Sequence, residues 1–433
     1  MPMPKVVLAA TRSLRALDPK LPGSVWLVQS VSLATAVGYG SVLPYSVIYL
    51  HDVRGFSLGV AGLVAALLTG MGIASGPVTG ALVDRLGTRP ALLGSLLLAA
   101  AALASFPLVR EPWQAFALAA VAGAGYGGIH PTVSSLIAAL TAPERRHAAY
   151  ALQRVSVNAG FGIGGLIGGL VATTDKPGSF TIVFLIAAGS LLPAAIATLA
   201  LPRDPSGATL HLDRGRYRDV LRSPVLLRLM VVNTVFVAVG YALLAVVMPV
   251  FAKGEAGVTE SMLGLIFLAN TLFIVIVQLP LARALEGSKR LGVLAGAAAC
   301  WAIGSMVVLG GGPWFHAAMA AVVIGLAGIV YGIGECLHAT VIGPLVADLA
   351  PPHMLGRYMG LLTLSFQLGM TVGPAIGGFL LAASPTGLWA GAAALVAVAG
   401  LGALTLSERL PEHARTTPAA PSTPGERGVT MPA

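Results

Sequence analysis

The sequence predicts an all-α polytopic membrane protein, with twelve transmembrane helices in two pseudo-symmetric six-helix bundles. Three observations predict it: an apolar composition, apolar runs that recur along the chain, and positive charge gathered on one face. Of the 433 residues, 56% are hydrophobic and 10% charged, and the mean hydropathy of +0.86 lies outside the range of soluble domains. Runs of roughly 20 apolar residues, enough to cross about 30 Å of hydrocarbon, alternate with short polar breaks. Most of the 26 Lys and Arg fall in alternate breaks, whereas Arg54, Arg110, Lys176 and Lys253 occupy the others. Basic residues stay in cytoplasmic loops, so both termini are expected in the cytoplasm, with the protein in the cell membrane. The same asymmetry accounts for the net charge of +9, which is therefore no sign of nucleic-acid binding.

The N-tail, 1–22, carries Lys5, Arg12, Arg15 and Lys20 but no small-residue cleavage pattern, so span 1 reads as an uncleaved anchor. The N-terminal bundle, 23–201, follows. Span 1 (23–49) holds Gln29 and Tyr39; span 2 (57–82) runs into the charged stretch GALVDRLGTRPAL; span 3 is 90–108. Span 4 (114–140) brings Tyr126 and His130, and span 5 (148–172) brings Arg154, with Asn158 one turn further on, ahead of a glycine run. Span 6 (180–201) leads into the longest polar break, the central loop 202–225. The C-terminal bundle, 226–406, takes spans 226–251 with Asn233 and Tyr241, 262–282, 291–310, 316–347 with Glu335 and His338, 357–382 and 387–406. The tail 407–433, rich in Pro and Thr, reads as disordered.

An internal repeat supports the two bundles. GFGIGGLIGG at 160–169 aligns with GMTVGPAIGG at 369–378, and an almost equal offset sets His130 on His338. Gly160, Gly164 and Gly168, like Gly369, Gly373 and Gly377 beside Pro374, lay a smooth stripe along one helix face that allows close helix approach. Helix packing alone accounts for these stripes; the sharper expectation is that they form the contacts between the bundles, which rock against each other.

These features resemble the major facilitator superfamily, in particular its twelve-span drug:proton antiporter branch. The stretch after span 2 is similar to the family's loop 2–3 signature through Gly80, Leu82, Asp84, Arg85, Gly87 and Arg89. The resemblance implies a cytoplasmic gate there, a charge relay against neighbouring helix ends. The span 5 run resembles the antiporter signature, with Gly165 in place of its proline; span 11 keeps Pro374. The arginine that the exporter branch often carries in span 4 is absent, since Val121 stands near that place.

Among the 17 acidic residues, Glu335 alone falls deep within a predicted span. A carboxylate at mid-membrane is costly and marks a functional site by default. In low dielectric an acid favours its neutral form, and an acid that changes charge on meeting water suits a proton carrier. In the superfamily fold, spans 4 and 10 line a central cavity, so Glu335, His338 and His130 are the candidates for proton coupling. Arg154 and Asn158 are candidate partners of the substrate or of Glu335. Gln29, Tyr39, Tyr126, Asn233 and Tyr241 are candidates to line the cavity, although single hydrogen bonds between helices account for such residues equally well.

Glu335-x-x-His338 also has the spacing of a di-iron site, but such a site needs two of these motifs and two further glutamates. Cys300 and Cys336 lie in spans and form neither a disulfide framework nor a metal cluster. No cofactor, metal or enzymatic activity is expected. Hard cations favour several oxygen ligands, so sodium coupling is less expected than proton coupling. The expected function is a secondary transporter working by alternating access, exporting a small amphipathic compound such as a drug or antibiotic in exchange for protons. Its partners are that small molecule, protons and the lipid bilayer, and a monomer is expected. Proton-coupled uptake or export of a polar metabolite is the alternative, and a non-transporting membrane receptor comes after it.

Overall fold

The computed structural model describes residues 21–142, 145–202, 220–312, 314–351 and 354–417, without the side chains of Asp84 and His147. The charges of the N-tail up to Lys20, most of the central loop and the tail beyond Thr417 lie outside the described residues.

The long helices are α1 (Gly23–Ile48), α2 (Leu58–Leu86), α3 (Thr88–Ser105), α4 (Pro112–Leu140), α5 (Arg146–Val171), α6 (Gly178–Leu199), α7 (Pro224–Ala256), α8 (Glu260–Ala284), α9 (Arg290–Gly310), α10 (Ala317–Leu349), α11 (Leu355–Ala383) and α12 (Pro385–Leu404). Their starts follow capping chemistry. Ser57, Ser223, Thr259 and Ser384 accept backbone N–H groups at the starts of α2, α7, α8 and α12, and Glu111 with Gln114 closes a capping box on α4.

Among the described residues, eleven helices are long and apolar enough to cross a membrane, so this is a multi-pass membrane protein. The remaining long helix is α4, which spans 29 residues but is diluted by glycines, Tyr126, His130 and Pro131. Inside α7 the coil widens to a π-helix over Ala238–Val247.

Helix packing repeats at a step of six helices. α1 packs on α5 and α6, α2 on α4, and α3 on α4 and α6; likewise α7 packs on α11 and α12, α8 on α10, and α9 on α10 and α12. The two largest contacts between the groups are α2 with α11 and α5 with α8, beside a smaller one of α1 with α7. The two largest use close approaches of small residues. A Cβ on Gly62 would strike the Pro374 carbonyl, and one on Gly169 would strike the backbone of Glu260 and Gly264. Thr69 Oγ1 donates to Met370 O at 2.9 Å across the first contact.

These approaches lie toward the end of the molecule where α1 finishes and α2 begins, here the far end, opposite the terminal end that holds the start of α1 and the end of α12. At the far end Lys253 pairs with Glu260 at 2.9 Å. Its Nζ donates to Thr174 Oγ1 at 2.8 Å, and Thr174 N donates to Glu260 at 3.1 Å. Thr174 belongs to the turn after α5, so this triad ties the two groups together.

Two expectations change. The glycine stripes expected between the bundles lie within each group: Gly160, Gly164 and Gly168 press on α1 at Leu33, Val37 and Ser41, while Gly369, Gly373 and Gly377 press on α7 at Val237, Ala238 and Val247. The same glycine run offers two faces, and the partners across the groups are Gly162, Gly165 and Gly169, which meet Thr271, Phe267 and Gly264. The segment expected to be free from residue 407 is folded as far as Thr417. Leu410 and Ala414 are buried, and Thr417 trades backbone hydrogen bonds with Gly287 and Ser288 in the α8–α9 turn.

Candidate functional site

The centre of the molecule is built on α10. Glu335 and His338 stand near the middle of its 33 residues, and packing gives them different surroundings. His338 is 2% exposed. Its Nε2 lies 2.8 Å from Asn233 Oδ1, and its Nδ1 lies 3.1 Å from the Tyr241 hydroxyl. Asn233 Nδ2 donates to Ser365 Oγ at 2.8 Å, and Ser365 Oγ donates to Leu362 O at 2.7 Å. This order orients every proton in the chain. The Asn233 oxygen accepts from Nε2–H, and Nδ1 accepts from the Tyr241 hydroxyl, so the imidazole is a neutral tautomer with both nitrogens used.

Phe236, Trp301 and Tyr241 enclose the ring, with centroids 6.0, 5.6 and 5.7 Å away. Trp301 itself is fully buried between Gly240 and Gly334, where a Cβ on either would strike the indole. The π segment of α7 carries Gly240 and Tyr241 to these positions, a backbone irregularity of the kind that clusters at functional sites.

Glu335, one turn before His338, is half-buried. Among the described residues it forms no hydrogen bond and no ion pair. The positive charge that acts on it is Arg154 of α5, which also acts on His338 and Tyr241. Arg154 is exposed although it sits about two turns inside α5, and Asn158 beyond it is half-buried. These two ionisable groups come from opposite groups of helices and act on each other without an ion pair. His130 on α4 is exposed and forms no hydrogen bond among the described residues. The structure therefore brings Glu335, Arg154 and Tyr241 together and encloses His338 behind them.

The other predicted residues divide between site and frame. Tyr39 and Tyr126 stack edge to face at 4.9 Å, and the Tyr126 hydroxyl is buried without a hydrogen-bond partner. Gln29 is a frame residue: it is 3% exposed and donates to Ala149 O at 3.0 Å, tying α1 to α5. Asn233 and Tyr241 act through His338, as above. In the expected gate stretch, α2 runs straight through Gly80 and Arg85 to Leu86, and Gly87 makes the break before α3 with φ 90°. Only glycine adopts that conformation at low cost. Arg85 is exposed, Arg89 donates to Leu201 O at 3.4 Å, and the side chain of Asp84 lies outside the described residues.

Sequence reasoning missed three features. The Lys253–Glu260–Thr174 triad was hidden because charges at span ends look like ordinary loop charges. Arg290 is fully buried and reaches Asp348 at 2.6 Å, although the stretch around it carries little of the loop signature. Phe161 and Phe267 meet across the α5–α8 contact with centroids 6.2 Å apart, and single aromatics in apolar runs carry no signal of their own.

Comparison with known proteins places this architecture. The family model described as Major Facilitator Superfamily matches residues 25–330 and 230–429. The uncharacterized MFS-type transporter YhjO of Bacillus subtilis is 26% identical over 349 residues, covering 81% of this chain and 84% of that protein. Multidrug resistance protein MdtH of Aeromonas salmonicida is 28% identical over 366 residues, covering 82% and 87%. Among solved structures, a POT family transporter in complex with 5-aminolevulinic acid superposes with a TM-score of 0.75 at 15% identity, covering 90% of this chain and 96% of that one. The nucleoside transporter NupG gives 0.70 at 14% identity, covering 89% and 99%. At such identity the solved structures share the fold alone.

Proposed function

Because this chain belongs to the major facilitator superfamily, we propose that it is a proton-coupled secondary transporter that exports a small amphipathic compound by alternating access. The observation that carries the reading is Glu335, a carboxylate at mid-helix without a hydrogen bond or ion pair among the described residues, on which the charge of Arg154 acts from the other group of helices. An acid in that position takes a proton when its surroundings are dry and releases it when water reaches it. His338 serves as an anchor, because its two nitrogens already hold α7 to α10, and Asn233 passes the chain on to Ser365 of α11. His130 remains the second candidate for a proton, since its ring is open to solvent or substrate.

The helices act as two six-helix bundles, 23–201 and 226–406, with both termini cytoplasmic. The six-step repeat in helix packing supports this division, and the distribution of Lys and Arg supports the orientation. Contacts concentrated at the far end fit a state closed toward the outside, with Lys253, Glu260 and Thr174 as its tie. Export of a drug or antibiotic is supported by the printed names of the multidrug-resistance relatives. Proton-coupled uptake or export of a polar metabolite is the second reading, favoured by the polar groups at the centre.

The test is reconstitution of the full chain in vesicles with an imposed pH gradient and a panel of dyes, antibiotics and metabolites. Flux of at least one amphipathic compound against its gradient, opposite to proton flow, is expected. Absence of solute flux under any gradient would overturn the proposal in favour of a receptor.

A further inference from the structure

The segment that follows α12 folds back onto its own helix group. It carries a buried stripe at helical spacing, Leu406, Leu410, Ala414 and Thr417, while Glu408, Arg409, Glu412 and Arg415 between them are exposed. Its end is seated in the α8–α9 turn, where Gly287 has φ 74°. Thr417 Oγ1 donates to Leu285 O, one of the carbonyls left without a helical partner at the end of α8, and accepts from Ser288 N at 3.1 Å. Gly287 N donates to Thr417 O at 3.1 Å, Thr417 N donates to Ser288 O at 3.0 Å, and Thr416 forms an antiparallel bridge with Lys289. Beside them His413 Nε2 donates to Asp348 O at 3.1 Å, on the residue whose carboxylate holds the buried Arg290.

The repeat-related turn, α2–α3, also bends at a glycine, Gly87 with φ 90°, and meets the chain leaving α6 through a 3.4 Å bond from Arg89 to Leu201 O. In the second group a folded segment makes the corresponding contact with its backbone. That segment costs little to lift, because Leu410 and Ala414 are its buried apolar side chains, and segments with so little buried apolar surface open locally. Its place bears on the rocking of the groups. α8 meets α5 at the far end, so opening the far end brings the other end of α8, with its turn, toward the start of α5. While the segment is seated, the backbone groups of the turn at Leu285, Gly287 and Ser288 are taken. A contact shifts an equilibrium only if one state has it and the other lacks it, and this one belongs to the state in which α8 and α5 part at the terminal end. We propose that residues 407–417 are a releasable strap, which holds the α8–α9 turn to its own helix group, favours the state closed at the far end and lifts when the terminal end closes. The proposal rests on the alternating-access reading and adds a regulation of it.

The experiment is hydrogen–deuterium exchange of the purified full chain in detergent, read by mass spectrometry. Thr417→Val keeps the shape of the side chain and loses the hydroxyl bonds, Leu410→Asp unseats the buried stripe, and Thr417→Ser keeps the hydroxyl. In Thr417→Val and Leu410→Asp the amides of Gly287 and Ser288 are expected to exchange at least tenfold faster than in the unaltered chain. Peptides holding Thr174 and Glu260, at the far end, should exchange at least threefold faster, because the state closed there is less populated. Peptides of α3 and α6 should not change, which separates release of the strap from a general loosening, and Thr417→Ser should match the unaltered chain throughout. Faster exchange at the turn with no change at the far end would make the strap a structural cap and overturn the inference. Unchanged exchange at the turn in both variants, or equal loosening of α3 and α6, would overturn it too. Exchange needs no substrate and no gradient, so the full response without solute flux in vesicles would overturn the transport reading alone. Proton-driven flux without the far-end response would overturn the strap alone.

Discussion

His130 in α4 and His338 in α10 occupy repeat-related places, and their surroundings differ completely. His338 is buried and spends both ring nitrogens on Asn233 and Tyr241. His130 is exposed and bonds to none of the described residues. The pairing of helices repeats through the molecule, but the polar chemistry does not. The second group of helices has built a hydrogen-bonded core around its histidine and set Glu335 in front of it, whereas the first group offers Arg154 and an unpaired Tyr126 hydroxyl.

The largest effect is expected at Glu335. Glu335→Gln removes the only exchangeable charge of α10's centre, and proton-driven flux in vesicles should fall by at least about a hundredfold, with the elution profile and thermal midpoint of the protein retained. Next comes Asn233→Ala, which leaves His338 Nε2–H buried without an acceptor. A loss of about 1–3 kcal/mol is expected, read as a lower thermal midpoint in detergent; an unchanged midpoint would break the contrast between the histidines.

Gly164→Val tests the frame. Its side chain would press on the Val37 carbonyl and Ser41 backbone of α1, which cannot yield, so a loss of about 1–3 kcal/mol is expected. Gly377→Val meets the side chains of Val247 and Leu243, which can turn, and should cost less. The smallest change in stability is expected for His130→Ala, within about 0.5 kcal/mol of the unaltered protein. A drop as large as that of Asn233→Ala would show that His130 is a structural group after all.

Much of the fold was legible because hydrocarbon imposes its own length on a chain, and the apolar runs from 23 to 406 carry that length. The one long helix outside the eleven apolar enough to cross a membrane, α4, is also the one that brings Tyr126 and His130 to the interior, where polar residues cost least. Helix pairing was less legible. A glycine run such as 160–169 announces close approach but not its partner, because alternate glycines of one helix face α1 and α8 at once. Glu335 stood out as a carboxylate in an apolar run. That His338 would be enclosed could not be read, since Asn233, Tyr241 and Ser365 come from other helices. The π segment at Ala238–Val247, which sets Tyr241 against the ring, has no pattern in an unbroken apolar stretch.

The central claim is that Glu335, and not His338, carries the proton. Vesicles containing Glu335→Gln, His338→Gln or the unaltered chain can be compared for gradient-driven flux and for exchange of labelled substrate without a gradient. The account predicts that Glu335→Gln keeps exchange but loses gradient-driven flux, while properly folded His338→Gln keeps both. Gradient-driven flux that survives in Glu335→Gln and vanishes in folded His338→Gln would contradict it.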